Sequence, residues 1–213
     1  MLPGFIDAHV HLTMTTMNFG RALRLSEVEW SLGMHGGVGR RNNTTARDTG
    51  GAIGGLVRAI QRGLCQGSRI AHSGRVLSQT GAHGDTRPAN VPLPECGCEL
   101  VSGRFSQIAD GPDAVRKATR HELHEGSDFL KIMASGGVAS PSDPFDGIQY
   151  TAEEVKAITV EAEHRHTYVT AHAYSPEATR QRLFALPWTM ECAVSSTETS
   201  LMKPQLNTSF LSA

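Results

Sequence analysis

Cysteine is scarce in this 213-residue sequence, and Cys65, Cys96, Cys98 and Cys192 form no disulfide framework. A lone Cys96-Gly-Cys98 lacks the second pair that a structural zinc site needs. A reducing, cytoplasmic setting is the expectation. Charge of one sign is lacking too: 20 Lys and Arg stand against 21 Asp and Glu, a net charge of −1. No basic stripe points to nucleic acid and no acidic tail to disorder. No apolar run is long enough to span a bilayer, and no basic segment followed by an apolar one marks a secretory leader. What is present is 39% hydrophobic residues and 22 glycines, an ordinary globular balance. The length suits one large domain or two small ones.

Against that background one short segment stands out: Pro3-Gly4-Phe5-Ile6-Asp7-Ala8-His9-Val10-His11-Leu12. Side chains at i and i+2 of a strand point the same way, so His9 and His11 can present two imidazoles to one point. Imidazole is the commonest protein ligand for a transition metal. Pro-Gly punctuates the strand start, Phe5 and Ile6 mark it as buried, and the pair falls where the strand leaves the core.

Further along, strand-like and helix-like stretches alternate. Asn43–Asp48 reads as a second strand and Ala52–Gln66 as a helix with Ile53, Leu56, Val57, Ile60 and Leu64 on one stripe. Ser68–His72 is a weak third strand, and residues 73–108 read as a long Gly/Pro/Ser/Thr loop. Asp110-Gly111-Pro112-Asp113 starts a helix to about Gly126, and Asp128–Met133 is the next strand. Thr151 with Glu154 forms a capping-box pattern for a helix to about His166; Tyr168–His172 is a strand, and Ser175 opens another helix. The alternation predicts an α/β fold, a partial (β/α)8 barrel with about five of eight strands. Such barrels place chemistry at the C-terminal strand ends, where His9, His11, Lys131 and His172 all fall.

These residues resemble the amidohydrolase superfamily, in its imidazolonepropionase-like and prolidase-like branch. Residues 3–11 are similar to its first-strand metal segment. Asp128-Phe-Leu-Lys131-Ile-Met-Ala-Ser-Gly-Gly-Val resembles the segment whose lysine becomes carboxylated and bridges two metals. Val169-Thr-Ala-His172-Ala-Tyr174 resembles the fifth-strand histidine segment, and Leu77-Ser-Gln-Thr-Gly-Ala-His83-Gly-Asp85 also has the look of this branch. The resemblance implies His9, His11, Lys131 and His172 as metal ligands, with one or two divalent ions: Zn2+ first, Mn, Co or Fe as alternatives. It implies hydrolysis of amide or other C–N bonds by metal-activated water, on a small substrate such as an N-acyl amino acid or dipeptide. A homo-oligomer stays open. The residues agree: Lys131 sits in an apolar run, where a neutral amine can take up carbon dioxide, although a lysine snorkelling from a strand end is the plainer reading of that residue alone. His83 and Asp85 are candidate substrate contacts, with a simple turn as the alternative. His164 and His166 lie about 200° apart on a helix, and His121 and His124 lie among charged neighbours; all four read as surface.

The resemblance covers residues 2–178. The family's sixth-strand histidine segment and the aspartate that serves as its metal ligand and acid–base are not matched, so no catalytic residue is assigned. Residues 179–213 show no periodicity and read as an irregular, non-native tail. Met190–Lys203 can be encoded so that reading two bases later spells Gly-Val-Arg-Ser-Ile-Glu-His-Gly-Asn-Leu-Ile-Asp-Glu, a family-like sixth-strand segment. A frameshift or misplaced splice junction near Thr179–Arg182 is therefore expected, and genomic codons incompatible with that string would end the idea. The competing expectations are a catalytically inactive fragment with an incomplete metal site and a mononuclear hydrolase using His9, His11 and His172.

Overall fold

The computed structural model describes residues 4–16, 18, 25–39, 43–88, 90, 102–140, 143–175, 178 and 191–192. Strands β1 (Phe5–Val10), β2 (Asn43–Asp48) and β3 (Arg69–His72) form one parallel sheet in that order. A second parallel sheet has the order β5 (Ser106–Ile108), β4 (Val76–Ser78), β6 (Leu130–Met133), β7 (Val169–Ala173) and β8 (Glu191–Cys192). Five helices occur among the described residues: α1 (Glu27–Gly39), α2 (Gly54–Gln61), α3 (Ser102–Phe105), α4 (Pro112–His124) and α5 (Ala152–His164).

The two sheets make one wall. Gly74, at φ +67, turns the chain between β3 and β4, a conformation that glycine adopts without a Cβ penalty. Asp128 then stitches across the break: His72 N–H donates to its carboxylate at 2.8 Å, and its own N–H donates to the His72 carbonyl at 2.8 Å. Strands β3 and β4 thus act as two parts of one barrel stave. The order β1–β2–β3/β4–β6–β7 supplies the five staves expected, and the two-residue β8 continues it in parallel beside β7.

Burial explains the strongest elements. All four residues of β6 are buried, as a strand covered on both faces requires. Leu130, Ile132, Val115, Val155, Ile158 and Val169 belong to one core cluster that joins β6 and β7 to α4 and α5. Helix α5 has the expected capping box: Glu154 N–H donates to Thr151 Oγ1 at 3.3 Å, and Thr151 N–H donates to the Glu154 carboxylate at 2.7 Å.

Three sequence readings need correction. Phe5 and Ile6, expected to mark β1 as buried, are 75% and 63% exposed at the edge of their sheet. The supposed loop at 73–108 contains β4, α3 and β5, whose three or four residues each are too short to show a period; residues 89 and 91–101 lie outside the described set. Helix α1 was not anticipated, because its glycines hide a stripe of only Trp30 and Met34, four apart and both buried. The helix expected from Ser175 falls mostly outside the described residues. Among those described, no helix is long and apolar enough to cross a membrane.

Candidate metal centre

Strand β1 loses register between Asp7 and Val10, and an irregularity of this kind re-aims side chains at a strand end. Here it brings His9 Nε2 to 3.3 Å from His11 Nε2, the rings edge to face with centroids 5.1 Å apart. A tetrahedral ion with metal–nitrogen distances of about 2.0–2.1 Å holds two ligand nitrogens roughly 3.3–3.4 Å apart. The pair therefore already has the spacing of two ligands on one ion. Burial, assisted by neighbouring positive charge, pushes both imidazoles down to about pKa 4. Both are neutral at physiological pH, with lone pairs available.

Across the wall, β6 and β7 run in register, Lys131 opposite Thr170 and Met133 opposite His172. Lys131 is 1% exposed, and burial followed by the charge of Arg47 pushes its amine down to about 7. Its charge in turn lowers the pKa of His9, His11, His83 and His172. One amine thus acts on imidazoles from both sheets. His172 is driven to about 3 by burial, then by His83 and Lys131, and its buried Nε2 has no hydrogen-bond partner. A polar atom left unsatisfied inside a protein calls for an explanation, and a missing ligand is one.

His83, from the long loop, joins this group. Its ring stacks on His172 with centroids 4.4 Å apart, and its Nδ1 is 2.8 Å from Ser140 Oγ and 3.7 Å from the Asp143 carboxylate. Asp85 goes elsewhere: its buried carboxylate grips the Arg87 guanidinium and accepts Gly81 N–H at 2.9 Å. His121, His124, His164 and His166 are exposed, as a surface reading requires. Among the described residues no three His, Cys, Asp or Glu side chains are grouped to hold an ion. The two histidine pairs lie close enough to act on each other, His83 lowering the pKa of His11 and His9 that of His172, and the charge of Lys131 reaches both pairs.

Two neighbours were missed from the sequence. Arg47 lies over the Phe129 ring at 4.3 Å and donates from Nε to the Tyr168 hydroxyl at 3.1 Å. Asp48, fully buried, accepts Leu12 N–H at 2.6 Å and Gly50 N–H at 3.0 Å, and burial pushes its carboxyl up to about 7. The available signal was position: a carboxylate at the C-terminal end of a barrel strand.

Known proteins resemble this chain in sequence and in fold. Ochratoxinase of Aspergillus niger is 31% identical over 195 residues, covering 82% of this chain and 39% of the relative. A crystal structure of an amidohydrolase superposes with TM-score 0.80 at 44% identity, over 86% of this chain and 46% of that one. A prolidase crystallised with N-methylphosphonate-L-proline gives TM-score 0.80 at 41% identity, with the same coverages. The chain thus spans less than half the length of these relatives. With the amidohydrolase family profile matching residues 1–199, and that barrel wall beneath it, the chain belongs to the amidohydrolase family.

Proposed function

We propose that this chain carries the metal-binding wall of a hydrolase acting on amide or other C–N bonds. The observation that carries the reading is the 3.3 Å separation of His9 Nε2 and His11 Nε2, which fits two ligands of one tetrahedral ion. The donor set fits a divalent metal as well. Three neutral imidazoles come from His9, His11 and His172, and Lys131 is buried with its amine near pKa 7. In its neutral form that amine can add carbon dioxide and release a proton, giving an N-carboxylate. The exchange replaces a buried cation by an anion that suits a site between two cations. Zn2+ is the first choice for such ligands, with Mn, Co or Fe next.

A bound divalent ion supplies Lewis acidity and lowers the pKa of water toward neutrality. The chain's own residues orient the rest. His83, packed against His172 and tied to Ser140, faces the substrate, while Asp85 with Arg87 braces the loop that carries it. An N-acyl amino acid or dipeptide is the proposed substrate class, in line with the prolidase relative and its proline-containing ligand.

Metal analysis of the purified chain, with hydrolysis assays on N-acyl amino acids and dipeptides, tests the reading. Bound Zn2+ is the expected result, with turnover well below that of a complete barrel because the family's acid–base aspartate is not matched in this chain. A second reading, a non-catalytic chain with a partial metal site, is favoured by the absence of a three-residue ligand group among the described residues. Substoichiometric metal without turnover would select it. Activity that survives Lys131→Ala would instead point to a single ion on the histidines.

A further inference from the structure

The turn at 48–50 is bound closely to the end of β1. Thr49 N–H and Thr49 Oγ1 both donate to the Val10 carbonyl, at 2.9 and 3.3 Å. Thr13 Oγ1 donates to the Gly50 carbonyl at 3.1 Å, and Leu12 N–H to Asp48 Oδ2 at 2.6 Å. His11 lies inside this bracket. Leu12 follows it in the chain, and a Cβ placed on Gly50 would sit 3.3 Å from His11 Nδ1. Phe105 closes the other side, its ring edge-on to His11 with centroids 5.4 Å apart.

Asp48 is the ionisable member of the bracket. It is 0% exposed, and its partners are the backbone N–H groups of Leu12 and Gly50, with no cation facing it among the described residues. A buried carboxylate without a counter-charge is costly. The geometry shows what it supplies: two acceptor oxygens, each filled by a different amide. Asparagine of the same shape offers one oxygen and turns its own N–H toward the other amide.

We propose that Asp48 is a positioning residue for the β1 imidazole pair. Its two oxygens tie the residue after His11 to the glycine beside the His11 ring, and so hold His11 Nε2 at its 3.3 Å approach to His9 Nε2. The positioning belongs to the chain without metal; only its consequence for metal affinity rests on the function proposed above.

Two readouts on the full chain separate these levels. In metal-free protein, long-range 1H–15N spectra of the histidines report whether His11 keeps one sharp tautomer. In the second, Co2+ titration reports affinity and the visible spectrum of the ion's coordination. Asp48→Asn is expected to broaden or split the His11 signals and weaken Co2+ binding tenfold or more, on the order seen when groups behind metal ligands are removed. Glu122→Gln, which alters a buried carboxylate bound to Arg75, controls for general loss of stability and should leave both readouts within about twofold. Unchanged His11 signals in Asp48→Asn would overturn the proposal, as would equal losses in the two variants. Unfolding of Asp48→Asn while Glu122→Gln stays folded would assign Asp48 to the fold alone and also overturn it. Wild-type protein that binds no Co2+, but whose His11 signals still respond to Asp48→Asn, would remove the metal reading and leave the positioning role standing.

Discussion

The proposed metal ligands are mounted in two different ways beside the two sheets. Lys131 and His172 lie on β6 and β7, central strands whose neighbours are nearly all buried. His9 lies on β1, an edge strand where Phe5 is 75% and Ile6 63% exposed, and His11 follows directly after its last residue. On the inner strands, packing and the ladder hold the side chains. On the edge, local hydrogen bonds to the 48–50 turn take over that task. A site assembled from both inherits rigidity from one wall and local bracing from the other.

The sharpest way to break this comparison is by volume. Ile132→Ala, in the fully buried β6, should cost about 2–5 kcal/mol of unfolding free energy, whereas Ile6→Ala on β1 should stay within about 0.5 kcal/mol. Urea denaturation measures both, and equal losses would erase the contrast.

The buried amine should come next. Lys131 titrates near 7 in the folded protein and near 10.5 when unfolded. Between those values the unfolded chain holds a proton that the folded chain does not, so stability should rise with pH across that window, by on the order of a few kcal/mol. Lys131→Met should flatten the rise. Thermal melts of carbonate-depleted, metal-free protein at stepped pH test it.

On the acid side the signs oppose one another. His9, His11 and His172 have folded pKa values of about 4, 4 and 3 against 6.5 unfolded, so they lose stability as pH falls from 6.5 toward 4. Asp48, raised from 3.8 to about 7, works the other way over the same window. Three imidazoles against one carboxylate should leave a net acid loss, steeper in Asp48→Asn. A shallower acid slope in that variant would contradict the assignment.

The smallest effect is expected at the surface of the well-packed wall. Arg120, 65% exposed, donates to Glu161 at 2.8–2.9 Å. Arg120→Ala should change stability by less than about 1 kcal/mol, and less still in high salt. A larger loss in a salt series would place this pair among the wall's main supports.

Much of this was legible in the chain itself. Thr151 and Glu154 announce a helix start through chemistry contained in four residues, and the capping box forms as expected. Leu130–Met133 and Val169–Ala173 announce strands as short, largely apolar segments between helix patterns. His9 and His11 share an aim, as neighbours two apart on a strand would, although β1 loses register between Asp7 and Val10 and His11 lies one residue past its end. The three-residue strand β4 was not legible, because it is a strand only through its pairing with β5 and β6. Nor was the split of Asp85 from His83: Asp85 pairs with Arg87 two residues on, whereas His83 reaches Ser140 and His172 only once the fold brings those distant segments together.

Local pattern thus determined the longer, regular elements such as the capped helix α5, and which residues carry imidazole and amine groups at strand ends, since these depend on neighbours in the chain. Tertiary structure alone decided which distant groups meet: the Asp48 oxygens on the amides around His11, His83 on the face of His172, and one amine acting on imidazoles from two sheets. Those depend on loop closure and on the desolvation that shifts Lys131 and Asp48, and a burial that depends on the whole fold cannot be computed from a residue's neighbours in sequence.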